Sequence, residues 1–151
     1  MKIKFSDKSK IAIIRIRGKR NIEPKIKKTL ELLRLRKPNH CVVMENSCYV
    51  RGMLNLVKDY VTFGQIDNNA LERLLYKKGK KGAKRLSEIL NNDEIVDITK
   101  KIMDGAKVSE FATPVFALKP PRKGYKDIKQ PYPKGDLGAR PDISPLIKRM
   151  T

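Results

Sequence analysis

The sequence predicts an α+β fold: a strand-helix-strand-helix-strand core, then a helical insertion, then an extended basic C-terminal tail. Three observations predict it. Strand-like and helix-like apolar patterns alternate through residues 11–66, helical spacing governs residues 69–102, and beyond residue 118 prolines and glycines displace core-forming side chains. The units are therefore an α/β core over residues 1–66, a helical subdomain with a basic loop and a returning edge strand over 67–118, and the tail over 119–151.

Residues 11–16 alternate imperfectly and read as the first strand, with Arg15 and Arg17 on the face opposite Ile14 and Ile16. Gly18 ends it. Arg17, Gly18, Lys19 and Arg20 make a basic turn in which glycine lets backbone approach a phosphate closely, a solvated loop being the other reading. Pro24 suits a first helical turn, Ile22 and Ile26 are spaced as a hydrophobic staple around a Glu23 cap, and Ile26, Leu30 and Leu33 recur at helical intervals. Lys25, Lys27 and Lys28 near that N-terminus oppose the macrodipole; they serve another partner or are ordinary solvated lysines. Leu35, Arg36, Lys37 and Pro38 close the helix, since proline disfavours helical geometry in the residue before it.

The densest apolar pattern is residues 40–63, whose surroundings from 38 to 66 carry no net charge. Cys41, Val42, Val43 and Met44 suit a buried strand. Glu45, Asn46 and Ser47 offer caps for a helix in which Val50, Met53, Leu54 and Val57 recur. Residues 60–66 supply the third strand, and the two helices stacked on one face of a small sheet would bury both stripes. Asn69 and Glu72 have capping-box spacing ahead of an Ala70, Leu71, Leu74, Leu75 stripe. Lys77, Lys78, Lys80, Lys81, Lys84 and Arg85, interrupted by two glycines, then read as a flexible loop for phosphates that lacks the spacing of a nucleotide-binding P-loop. Two short helices divided by Asn91, Asn92 and Asp93 follow, and residues 113–118 add an edge strand with Pro114 at its start. In the tail, six prolines and three glycines argue against independent folding, although Leu146 and Ile147 can anchor the end through a short helix after Pro145. Tyr125 and Tyr132 among the tail's cations either stack on bases or fold back onto the protein.

The net charge is +19, from 35 Lys and Arg against 16 Asp and Glu, an imbalance that repels itself unless a polyanion offsets it. Residues 1–37 hold +11 of it, 67–85 hold +5 and 119–151 hold +6, whereas 86–118 carry −3 and face away from the polyanion. RNA or DNA is the natural partner. No apolar run reaches about 18 residues, so no membrane span is expected, and the first ten residues lack the centre and cleavage site of a secretion signal, which places the chain in the cytoplasm. Two cysteines and one histidine are too few for a Cys/His zinc site, and the thiols are expected to be buried or semi-buried. No nucleophile-base triad is spaced for catalysis, and His40 beside Cys41 points to the opposite face of a strand. We expect no enzyme activity, no cofactor, no metal and no small-molecule substrate.

The tract RLRKPNHCVVMENSCYVRGMLNLVKDYVTFG, with Asn39 and His40 followed by Val42 and Val43, and with Arg51, Gly52 and Met53, closely resembles the second strand and helix of the ribosomal protein L-thirty family in its long archaeal and eukaryotic form. PPRKGYK at 120–126, GDLGARPD and the terminal LIKRM match it in style, while Ala139, Arg140 and Pro141 depart from the Asn-Arg-Gly of the long form. The resemblance implies a small antiparallel sheet, ferredoxin-like in style, and a structural role in the large ribosomal subunit, bound to large-subunit rRNA and beside neighbouring ribosomal proteins. It favours Arg15, Arg17, Lys19, Arg34, Arg36, Lys37, Asn39, His40 and Arg51 as RNA contacts, with Arg122, Lys123 and Arg140 from the tail. Gly52, small and read as lying in a first helical turn, would expose backbone N–H groups to a phosphate or base. A basic chromatin or general nucleic-acid-binding protein is the alternative. An RNA-modifying enzyme would need a cofactor cleft that the short, glycine-poor central loops do not suggest.

Overall fold

The computed structural model describes residues 9–151, so the readings that rest on residues 1–8, including part of the N-terminal charge and the absent secretion signal, lie outside it. The predicted order is present: β1 (Lys10–Arg15), α1 (Pro24–Leu32), β2 (His40–Glu45), α2 (Cys48–Val57) and β3 (Val61–Gln65). β1 is central, antiparallel to β2 and to β3, with Ile13 opposite Val42 on one side and Phe63 on the other. A β6 (Val115–Ala117) edge strand pairs antiparallel with β2, as the edge-strand reading requires.

Every residue of β1 is buried, because helices cover both faces of the sheet. Ile11 and Ile13 point into a cluster with Leu30 and Leu33 from the α1 region and Leu54 and Val57 from α2. Ala12 and Ile14 point the other way, to Leu71, Leu74 and Leu75 of α3 (Asn68–Lys78), and to Ile95 and Ile102 of α5 (Asn92–Met103), which follows the single turn α4 (Leu86–Ile89). A strand covered twice has no polar side to alternate with, which explains the imperfect pattern of residues 11–16. Each such Ile or Leu contributes roughly 1.5–3 kcal/mol by leaving water.

α1 starts as read, with Glu23 as cap and Pro24 in the first turn, but it ends at Leu32 rather than beyond Leu35. The reason is a Schellman turn: Arg34 N–H donates to Glu31 O and Leu35 N–H to Leu30 O, with Arg34 at φ 64° in the position glycine usually fills. Ser47 caps α2 by accepting the Val50 N–H at 3.3 Å. The Asn69/Glu72 capping box does not form. α3 begins two residues earlier than that cap requires, after Asp67, whose N–H donates to Ser144 Oγ at 3.0 Å. The box belongs instead to Asn91 and Glu94 at the start of α5, where the Asn91 N–H donates to Glu94 Oε2 at 2.9 Å. The loop read as flexible is a small hairpin, β4 (Lys80–Lys81) against β5 (Lys84–Arg85), turned by Gly82 at φ 66°.

The largest departure concerns the tail, which is not extended over its last residues. β7 (Gly138–Asp142) joins the sheet parallel to β3, making the strand order β6-β2-β1-β3-β7, and α6 (Ser144–Met150) closes the chain. Ile143, Leu146, Ile147 and Met150 are buried in the cluster beneath α3, and their spacing is helical. The apolar contribution of these four outweighs the proline-rich composition upstream. Gly64 admits β7: a Cβ there would lie 2.6 Å from Arg140 O, so any side chain would push the two strands apart. The short helix expected after Pro145 is α6, with Pro145 in its first turn.

Candidate nucleic-acid interface

The sequence places basic residues at the end of β1 and before β2; the fold joins these two turns through one buried side chain. Arg15, 4% exposed, donates from Nε to Arg17 O at 3.0 Å, from one terminal nitrogen to Leu35 O at 2.7 Å, and from the other to Gly18 O at 3.0 Å. A guanidinium has donors in a fixed fork, and here the fork ties turn 17–20 to turn 34–37. Arg15, assigned from the sequence as a phosphate contact, is instead buried within the protein, with three of its donors on protein carbonyls, and burial lowers its pKa against a smaller opposing effect of Tyr60. What it presents are Lys19 and Arg20 from one turn and Arg34, Arg36 and Lys37 from the other, all exposed. Arg17 lies half-buried with its guanidinium 5.3 Å from the centre of the Tyr60 ring.

Replacing Arg15 by Gln should cost about 2–3 kcal/mol, because a charged donor to three carbonyls is lost, and should loosen both turns. Urea denaturation measures the first effect. A Lys at this position has no fork, so Arg15→Lys should rescue little, and full rescue by Lys would refute the clamp.

Asn39 and His40 follow on the same end of the sheet. Asn39 sits at φ 65°, donates its N–H to Arg15 O at 2.7 Å, accepts the Leu118 N–H at 3.1 Å, and takes the Tyr125 hydroxyl on Oδ1 at 2.7 Å. Asparagine tolerates that backbone region, and its side chain fastens the segment after β6 to β2. Tyr125 is thereby corrected: it folds back, half-buried against the core, and burial, aided by Asp136, raises its hydroxyl pKa to about 12. Its hydroxyl is engaged by Asn39 and its ring packs on the core. Of the two open readings for the tail tyrosines, packing onto the protein describes Tyr125.

His40 Nδ1 is buried without a hydrogen-bond partner, and burial first, then Lys37, Arg15 and Lys19, lower its pKa. Because the folded value lies below the unfolded 6.5, the unfolded chain binds the proton more readily. Stability contributed by neutral His40 is thus complete above pH 6.5 and is lost as pH falls through the folded value. His40 is the only histidine, so His40→Gln should flatten the wild-type decline between neutrality and the onset of carboxylate titration. Denaturation midpoints at a series of pH values check this, and a variant with an unchanged decline would rule it out.

Lys119, which sequence reading missed, connects this end to the hairpin. Its neighbour Leu118 is bonded to Asn39, its own N–H donates to Met150 O, and its ammonium is close enough to Lys78 to help lower that lysine's pKa, after burial and together with Arg85, Lys80 and Lys77. Lys77, Lys80, Lys81, Lys84 and Arg85 are exposed and Lys78 half-buried. Arg122 and Lys123 lie on an exposed turn whose carbonyls are gripped by Arg149: its guanidinium donates to Arg122 O at 2.8 and 3.1 Å and to Gly124 O at 2.5 Å. The only signal for Lys119 was its place just after the edge strand.

Three assigned residues do not join this surface. Arg140 is 7% exposed, donating from Nε to Thr62 Oγ1 at 2.9 Å and pairing with Asp136 at 3.1 Å, with the Tyr132 ring 5.2 Å away; it is an internal latch. Arg51 and Gly52 lie on α2, beyond the far end of β2 from His40, a separation of about 15–20 Å along the strand. Gly52 is also not in the exposed first turn: the preceding N–H, that of Arg51, already donates to Ser47 O within the helix. Cys41 is fully buried, with its thiol pKa raised by burial, while Cys48 is exposed. Among the described residues no cluster of His, Cys, Asp and Glu is arranged to hold a metal ion, and no helix is long and apolar enough to cross a membrane.

A three-layered α+β domain, with exposed cations gathered on one end of its sheet and along an adjoining hairpin, defines a small basic protein built to present positive charge from a rigid core. Residues 11–61 match the family model for ribosomal protein L30p/L7e. The chain is 40% identical over 148 residues to large ribosomal subunit protein uL30 of Methanothrix thermoacetophila, covering 92% of this chain and 98% of the relative. It is 39% identical over 149 residues to the protein of that name from Archaeoglobus fulgidus, with 92% and 98% covered, and 42% identical over 155 residues to that from Thermoplasma volcanium, with 93% and 92% covered. The chain belongs to the ribosomal protein L30p/L7e family.

Proposed function

We propose that this chain is a non-catalytic structural constituent of the large ribosomal subunit that binds large-subunit rRNA through the end of its sheet and its hairpin. The observation that carries this reading is the Arg15 clamp, a buried cation that ties together two separate turns, residues 17–20 and 34–37, which carry exposed cations and contain no Asp or Glu. Like charges brought together raise the energy of the free protein, and a phosphate backbone relieves that repulsion. The relatives named above, covered almost end to end, supply the subunit. Lys19, Arg20, Arg34, Arg36 and Lys37 form the first phosphate surface; Lys77, Lys78, Lys80, Lys81, Lys84, Arg85 and Lys119 form the second; Arg122 and Lys123 flank both. The partners are rRNA and neighbouring ribosomal proteins, and the site of action is the cytoplasmic ribosome.

Tagged chain should sediment with the large subunit on a sucrose gradient at low salt. Recovery at the top of the gradient, with equal affinity for duplex DNA of arbitrary sequence, would replace this reading by that of a general nucleic-acid binder.

A further inference from the structure

Tyr76 is exposed on the face of α3 opposite its buried Ala70, Leu71, Leu74 and Leu75 stripe, and it forms a wall shared by two clefts. The smaller, about 310 Å³, is lined by Lys77, Lys78, Arg85 and Lys119, with Ser87 and Thr151 completing it. The larger, about 600 Å³, runs between α3, α5 and α6 and is lined by Asn69, Glu72, Asn92 and Ile95 among others. Both volumes lie in the range of roughly 300–1,000 Å³ usual for small-ligand sites. Cations line both, Lys77, Lys78, Arg85 and Lys119 the smaller and Arg73, Lys77 and Lys148 the larger; the smaller adds the hydroxyls of Ser87 and Thr151, and the larger adds amide and carboxylate groups beside an apolar side chain.

We propose that the two clefts together take one unpaired nucleotide of RNA, its phosphate among Lys78, Arg85 and Lys119 and its base stacked on the Tyr76 ring, edge toward Asn69 and Asn92. The chemistry of each half fits. Four cations from three separate segments converge where no described Asp or Glu lines the cleft, and burial first, then the charges of Lys119, Arg85, Lys80 and Lys77, lower the Lys78 pKa. A phosphate oxygen set is the complement of that arrangement. Asn69, Glu72, Arg73 and Tyr76 recur at i, i+3, i+4 and i+7, so a single face of α3 presents the ring with polar groups beside it. Arg73 is held in place by donating from Nε to Thr151 Oγ1 at 2.9 Å. Amide side chains offer both donors and acceptors to a base edge, and aromatic stacking tolerates any base. A base stacked within a duplex cannot reach the ring, which selects a looped-out or terminal nucleotide.

The inference rests on the rRNA reading for the source of the nucleotide, and its test separates the two. The full chain is titrated with adenosine 5′-monophosphate, inorganic phosphate and adenosine at low salt, following backbone amide NMR shifts, and in parallel with an rRNA fragment. Adenosine 5′-monophosphate should saturate one site with shifts centred on residues 69–78, 85–87 and 119, binding about tenfold more tightly than inorganic phosphate. Tyr76→Leu, at a position 44% exposed, should remove that tenfold and leave phosphate binding unchanged; Lys119→Gln should weaken both phosphate-bearing probes. Equal affinity for the monophosphate and inorganic phosphate, shifts spread over all basic surfaces, or a Tyr76→Leu variant that keeps the tenfold would each overturn the nucleotide site. If rRNA binds in any of these cases, the ribosomal reading stands without it; if rRNA fails to bind while the monophosphate behaves as described, the site stands and the ribosomal reading falls.

Discussion

Affinity for a large-subunit rRNA fragment is expected to fall by about 10³–10⁵ between roughly 50 and 200 mM monovalent salt. The exposed cations of the clamp turns and the hairpin are numerous enough for about 6–10 phosphate contacts, and each contact releases condensed counterions whose return at higher salt opposes binding. The slope of log affinity against log salt counts the contacts. Replacing Lys19, Arg36 and Lys37 together by Gln should reduce that slope by about 3 and weaken binding at every salt concentration, because all three are exposed and unfolding is not expected. A near-flat salt dependence in the wild-type chain, or an unchanged slope in the folded triple variant, would defeat the phosphate-dominated mechanism.

Arg140→Met is expected to cost about 3–5 kcal/mol of folding stability. The guanidinium donates to Thr62 Oγ1, to Asp136 O at 2.8 Å and to Asp136 Oδ1, while Thr62 in turn donates to Gly138 O at 3.1 Å and Asp136 Oδ2 accepts the Lys126 N–H. One network thus joins β3, β7 and the turns over residues 126–137. Methionine fills the volume but leaves the Asp136 carboxylate, 6% exposed, without its cation, and an unpaired buried charge is the costly outcome. Urea denaturation measures the loss, and trypsin cutting after the exposed Lys126, Lys129 and Lys134 should accelerate as the segment detaches. A loss below about 1 kcal/mol with unaltered proteolysis would show that α6 alone holds the C-terminal segment.

Much of this molecule was legible wherever a local rule governs. The Ile26, Leu30, Leu33 spacing, the three candidate caps at Glu45, Asn46 and Ser47 and the β-branched run at Val42 and Val43 all declare their elements, because propensity and periodicity are properties of neighbouring residues. Non-local demands produced the misreadings. Asn69 and Glu72 have the spacing of a capping box, yet Ser144, far along the chain, positions the start of α3. The short helix of Leu146 and Ile147 after Pro145 was legible, but the proline count concealed that Ile143 and Met150 extend the same stripe into the core.

The cations show the same division most sharply. Chain chemistry by itself determined the large positive charge, its concentration in three regions, the alternating order of the first five elements and the membership in a basic α+β family. Only tertiary packing decided which positive groups face outward: Arg15 and Arg140 carry the same guanidinium as Arg36, yet the first two are enclosed by carbonyls and a carboxylate while the third meets solvent. The reason is that burial depends on what distant segments bring against a side chain, and nothing in an arginine's immediate neighbours specifies whether Leu35 O or Asp136 will be there to receive it.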